Sequence, residues 1–174
     1  MVVRRKELRE GKGMASTEIG FDRDRIQQGH QRFLESFLGE PDRVPLGAPL
    51  NEHALYLLGL SGLDFATDPL VAVRAQLLLS EYYDLDSLLL AYDCYNIEAE
   101  ALGQQLIYTE KAMPDLDPLN PLIREKADLD RLVPPRPGES GRMPYVLRMY
   151  RLYQEYTGVP ARPIFCAPFS LAVA

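Results

Sequence analysis

DPLVAVRAQLLLSEYYDLDSLLLAYD, residues 68–93, is the stretch on which the fold class turns. Asp68 is a natural N-cap, and Pro69 suits the first helical position, where its missing N–H costs nothing. Leu70, Val73, Leu77 and Leu78 then recur at helical spacing, which predicts an amphipathic helix with that stripe buried. DLDSLLLAY follows at once, an apolar run of strand length without polar alternation. Such a run suits a strand buried on both faces, as in a parallel sheet. A helix feeding such a strand is the repeating unit of an α/β fold. Asp93 closes the run, and YNIEAEALG, residues 95–103, turns polar behind it.

The flanks extend this pattern. Residues 22–38 place Ile26, Phe33, Leu34, Phe37 and Leu38 largely on one helical face, with Gly39 as the stop. Residues 43–50 read as a short extended segment whose prolines exclude a helix. NEHALYLLGL reads as a short helix with Asn51 as its N-cap. EAEALG forms about one and a half helical turns ending at Gly103, and QQLIYTE a further short strand. Residues 113–138 are proline-rich and irregular, with a short helix at 126–132. MPYVLRMYRLYQEYTG, residues 143–158, reads as a helix with Val146, Met149, Tyr150, Tyr153 and Tyr156 along one side. RPIFCAPF reads as a third buried strand and SLAVA as the first turn of another helix. An open flavodoxin-like sheet and a (β/α) barrel both fit this order. Neither GxGxxG nor GxxxxGK[ST] occurs, which argues against dinucleotide and P-loop sites.

The bulk numbers narrow the partners. The chain has 174 residues, 47% of them hydrophobic and 25% charged, enough for one packed domain. A net charge of −6 argues against nucleic acid and anionic membranes. Arg4, Arg5, Lys6, Arg9 and Lys12 make residues 1–20 a flexible basic leader, and Met14 is an alternative start. Cys94 and Cys166 lie far apart in apolar surroundings and form no CxxC, so both read as core thiols of a cytoplasmic protein rather than metal ligands. No apolar run approaches the length that spans a membrane.

RFLESFLGEPDRVPL, the helix–strand pair above, EAEALG and PIFCAPFSLA stand in the order that resembles the uroporphyrinogen decarboxylase superfamily, which includes cobalamin-dependent methyltransferases. The resemblance covers roughly residues 25–174. It implies a (β/α)8 barrel, and such a barrel needs about 250 residues. On this reading residues 21–174 are the N-terminal portion of the barrel, truncated after its early strands. Its open edges favour self-association or a complementing chain.

The resemblance also orders the candidate site. Asp93 is the expected catalytic residue, since barrel sites lie at the carboxyl ends of strands. In the decarboxylases a matching aspartate faces the substrate pyrroles. A helix-capping or turn aspartate is the plainer alternative. Asn51, His53, Asn96 and Glu98 are the expected substrate-binding residues. Glu98 and Glu100, two apart on a helix, diverge, and Glu98 is expected to face the pocket. GAPLNEHALYLLG stands where decarboxylases carry an arginine-rich carboxylate-binding motif. That departure, with the wording of YNIEAEALG, favours the corrinoid-linked methyltransferase branch over uroporphyrinogen decarboxylase, and a non-catalytic chain acting by association is the third reading. The substrate is then a small methyl donor or a tetrapyrrole, with a corrinoid protein as partner. Corrinoid and zinc belong to full-length relatives, and neither is assigned to this chain.

Overall fold

A computed structural model describes residues 21–90 and 92–173; the basic leader expected at 1–20 lies outside them. The elements run α1 (Arg23–Glu35), β1 (Gly47–Ala48), α2 (Asn51–Leu58), α3 (Gly62–Thr67), α4 (Pro69–Tyr82), β2 (Ser87–Leu88), α5 (Cys94–Leu102), β3 (Leu106–Ile107), β4 (Asp115–Leu116), a 3₁₀ turn (Lys126–Arg131), α6 (Met143–Thr157) and α7 (Pro168–Val173). The fold is mixed α/β and mostly helical. β1 and β2 pair in parallel, Gly47 with Ser87 and Ala48 with Leu88, while β3 and β4 form a separate antiparallel pair. Among the described residues the sheet does not close into a barrel.

α4 is the centre of the molecule. Asp68 caps it, its Oδ1 accepting the N–H of Leu70 at 2.8 Å. The expected stripe is too narrow, because α4 packs against α2, α3, β2 and α6. Ala72, Val73, Ala75, Gln76, Leu77, Leu79 and Ser80 are buried, whereas Leu70 and Leu78 are half-buried. Phe65, Leu77, Leu90 and Met149 are fully enclosed, and each such side chain contributes about 1.5–3 kcal/mol by leaving water. On α6, Val146, Met149 and Tyr153 are buried, with Tyr150 and Tyr156 packed at the rim.

α1 crosses the start of β2 so closely that a Cβ on Gly29 would sit 2.1 Å from the carbonyl oxygen of Asp86. Beside this crossing Asp86 is enclosed by cations. Its Oδ1 accepts from Arg32 Nη1 at 2.5 Å and Arg43 Nη2 at 2.7 Å. Its Oδ2 accepts from Arg43 Nη1 at 2.5 Å and the N–H of Leu46 at 2.9 Å. Together these bonds tie α1 and the approach to β1 onto the amino end of β2.

Several expectations need correction. Helix α1 stops at Glu35, and Leu34, Phe37 and Leu38 of the expected face are exposed, the Phe37 ring meeting Phe33 edge-on at 5.1 Å. Asn51 is the first residue of α2, not its cap; Leu50 holds that position. The helix expected as EAEALG begins at Cys94 and is longer. α3 and β4 have no counterpart in the sequence reading. RPIFCAPF is not a strand: its backbone is held by side chains rather than by a ladder. Ile164 N–H donates to Tyr150 Oη at 3.3 Å, Cys166 N–H to Glu98 Oε1 at 3.1 Å, and Tyr92 Oη–H to the Ile164 carbonyl. Phe165 is 76% exposed. A strand needs a neighbouring ladder, and none of the described strands runs beside these residues.

Candidate functional site at the carboxyl end of β2

The chain leaves β2 and turns into α5 at Asp93. The residue occupies the N-cap position of α5, but its side chain does not cap the helix. It is buried and faces Arg142, the residue that precedes α6. Arg142 Nη1 donates to Asp93 Oδ1 at 3.0 Å and Nη2 to Oδ2 at 2.5 Å, a two-pronged pair. The other edge of the guanidinium serves Glu100. Nε donates to Glu100 Oε2 at 2.8 Å, and the Arg142 backbone N–H to the same oxygen at 3.2 Å. Tyr108 Oη–H donates to Glu100 Oε1 at 2.7 Å, and the Tyr108 ring lies 5.3 Å below the guanidinium carbon.

Burial works against the charge on Arg142, but its bonds to Asp93 and Glu100 outweigh that cost and hold its pKa above the ordinary arginine value. Burial, and then the bond to Glu100, raises the pKa of the Tyr108 hydroxyl, which stays protonated at neutral pH. The loop that delivers Arg142 depends on Gly141. Its φ is +48°, and a Cβ there would lie 2.9 Å from the N of Ala101, so the loop rests on the last turn of α5.

Asn96 and Glu98 share the first turns of α5 with Asp93 yet point elsewhere. Asn96 is buried; its Nδ2 donates to the Pro114 carbonyl at 2.6 Å, while its Oδ1 has no partner among the described residues. Glu98 turns to the segment 163–167 through the Cys166 N–H, and its buried Oε2 has no partner among the described residues. Glu98 and Glu100 therefore diverge, with Glu100 on Arg142. His53 lies apart from all three. It is exposed, with Nε2 2.7 Å from Tyr83 Oη, beside an apolar groove lined by Leu46, Gly47, Ala48, Leu50 and Leu85. Asn51 is half-buried at the start of the same helix. The structure thus groups Asp93 with Glu100, Arg142 and Tyr108, and sets Asn51 and His53 apart on α2, His53 beside the groove at β1.

Sequence reasoning missed Arg142. One signal pointed to it: a cation immediately before a helix opposes the helix dipole, so it calls for a nearby carboxylate. Cys94 and Cys166 are half-buried free thiols. Among the described residues no three His, Cys, Asp or Glu side chains are placed to hold a metal ion. No described helix is long and apolar enough to cross a membrane.

Comparison with known proteins adds two findings. A family model described as uroporphyrinogen decarboxylase (URO-D) matches residues 28–174. The fold is similar to the solved structure of a methyltransferase from Methanosarcina mazei, with a TM-score of 0.65 and 22% identity, over 83% of this chain and 44% of that one. The chain therefore spans less than half the length of that structure. No curated protein matches.

Proposed function

This chain belongs to the uroporphyrinogen decarboxylase family, and from that premise we propose that it is the N-terminal part of a (β/α)8 barrel enzyme of the corrinoid-linked methyltransferase branch. The complete enzyme moves a methyl group between a small donor and a corrinoid or thiol acceptor. Residues 21–174 supply the early strands and one wall of the site, and residues 1–20 precede them as a basic leader. Asp93 is the carboxylate of that wall, at the strand end where barrel enzymes place their chemistry. A buried carboxylate there accepts hydrogen bonds from the substrate and stabilises positive charge that develops on it. Asn51, His53, Asn96 and Glu98 complete the substrate side once the remaining strands are in place.

One observation carries the choice of branch. Residues 47–59, which follow β1 into α2, contain neither arginine nor lysine, and the guanidinium that reaches Asp93 is already committed to two carboxylates. A polycarboxylate porphyrinogen needs cationic partners, whereas a methyl donor does not. Decarboxylation of uroporphyrinogen is the second reading, supported by the family description and by a strand-end aspartate suited to pyrrole N–H groups. A non-catalytic chain that acts by association is the third, supported by the exposed apolar residues beside β1.

The test is optical. A polypeptide joining this chain to the remaining strands is mixed with methylcobalamin and a thiol. Loss of the methyl–cobalt absorption is the expected result. Carbon dioxide released from uroporphyrinogen without any corrinoid overturns the choice of branch. Neither signal, together with stable association with a second polypeptide, favours the third reading.

A further inference from the structure

Arg142 occupies the carboxylate that the proposed site needs. Both Asp93 oxygens accept from its Nη groups, and the pair is almost closed to solvent, with side-chain exposures of 5% for Asp93 and 9% for Arg142. Glu100 gives Arg142 a second anchor that does not involve Asp93. Glu100 Oε2 holds both Nε and the backbone N–H of Arg142, and Tyr108 fixes the other Glu100 oxygen. The guanidinium can therefore leave Asp93 by turning its Nη edge away, giving up also the 3.5 Å contact of Nη1 with the Ala66 carbonyl, while Nε stays on Glu100. The backbone N–H keeps the two residues joined throughout.

We propose that Arg142 is a positioning residue that gates Asp93: it covers the carboxylate in the empty site and moves onto Glu100 alone when substrate arrives. The inference rests on the reading of Asp93 as the site carboxylate and adds the chemistry of what meets it. A buried carboxylate is not left bare, so whatever displaces Arg142 must offer equivalent donors. The displacing group is a cation or an N–H donor. An anionic group would pair with Arg142 and leave Asp93 uncovered.

Substitutions at Arg142 and Glu100 then make opposite predictions. Arg142→Lys keeps the charge but loses the two-pronged grip, so Asp93 becomes easier to reach. Glu100→Gln weakens the alternative anchor, so Arg142 stays on Asp93. The probe is 2-(aminomethyl)pyrrole, which carries a cation and an N–H and no carboxylate, titrated into the polypeptide that joins this chain to the remaining strands, with amide and arginine Nε NMR signals as readout. Arg142→Lys is expected to tighten binding roughly tenfold, the equivalent of one charge-assisted hydrogen bond. Glu100→Gln is expected to weaken binding several-fold, and Asp93→Asn to abolish it. Both variants weakening binding, or neither changing it, overturns the gate while Asp93→Asn still reports on the site. Binding that survives Asp93→Asn, or no binding by any of the chains, overturns the site reading itself. Should Arg142→Lys fail to give a folded spectrum, the Glu100→Gln arm decides: unchanged or tighter binding overturns the gate.

Discussion

Two buried aspartates flank the same apolar run, and each is gripped by arginine. Asp86, at the amino end, accepts from Arg32, Arg43 and the Leu46 N–H. Asp93, at the other end, accepts among the described residues from Arg142 alone. On the proposed barrel reading the amino ends of strands serve stability and the carboxyl ends serve chemistry, which gives the two residues different work. Burial raises the pKa of Asp86, but the Leu46 N–H and the two guanidinium groups outweigh it and hold the carboxyl below its ordinary value. A carboxyl depressed in the folded state contributes stability that is complete above its unfolded pKa of about 4 and is lost as pH falls through the folded value. Asp86→Asn should therefore lower stability at neutral pH by about 2–3 kcal/mol and flatten the stability curve below about pH 4. Urea unfolding at a series of pH values measures both effects, and an unaltered acid limb would contradict this role. Asp93 was legible in the sequence because an acid closing an apolar run is conspicuous. Arg142 was not, because the chain between Asp93 and Arg142 carries no periodic signal that brings them together.

At the scale of elements, helices were read more reliably than strands. α4 and α6 carry their own caps and stops: Asp68 and Pro69 for one, Pro144 and Gly158 for the other. Strands are defined by neighbours, which a local pattern does not contain. DLDSLLLAY yields only Ser87–Leu88 as paired strand, and RPIFCAPF yields none, although both look apolar enough. The closest approach between elements is just as hidden. Gly29 reads as an ordinary glycine inside a helix, where alanine would gain about 1 kcal/mol from propensity. Its missing Cβ instead lets α1 rest on the Asp86 carbonyl. Gly29→Ala should force the helix outward at about 1–3 kcal/mol, offsetting or exceeding that gain. Thermal melting decides it: a variant more stable than wild type by the full propensity gain would show that α1 does not sit against β2.

At the scale of the whole molecule, the chain is a helical layer around a parallel strand pair with exposed apolar residues on both flanks. Val44 and Leu46 lie exposed beside β1, Phe165 in the loop before α7 and Phe169 on α7. These side chains have no cover among the described residues, and the match to the solved relative covers only 44% of that chain. We expect the isolated chain to self-associate, or to unfold at modest temperature, because open edges and apolar faces invite pairing. Light scattering across a concentration series tests this, and a strictly monomeric chain with cooperative, high-temperature unfolding would contradict it. The α/β class and the family resemblance were legible from four ordered stretches of sequence. The arrangement at the site was not, since it depends on residues far apart in the chain meeting at one strand end. The central claim is that this strand end is the wall of an enzyme site. Its most direct test is the rate of methylcobalamin demethylation by a polypeptide joining this chain to the remaining strands, compared for Asp93→Asn and Asp86→Asn. Asp93→Asn should lower the rate roughly 10²-fold while the protein stays folded, and Asp86→Asn should lower stability but not the rate per folded molecule. An Asp93→Asn enzyme that turns over like wild type would contradict the account.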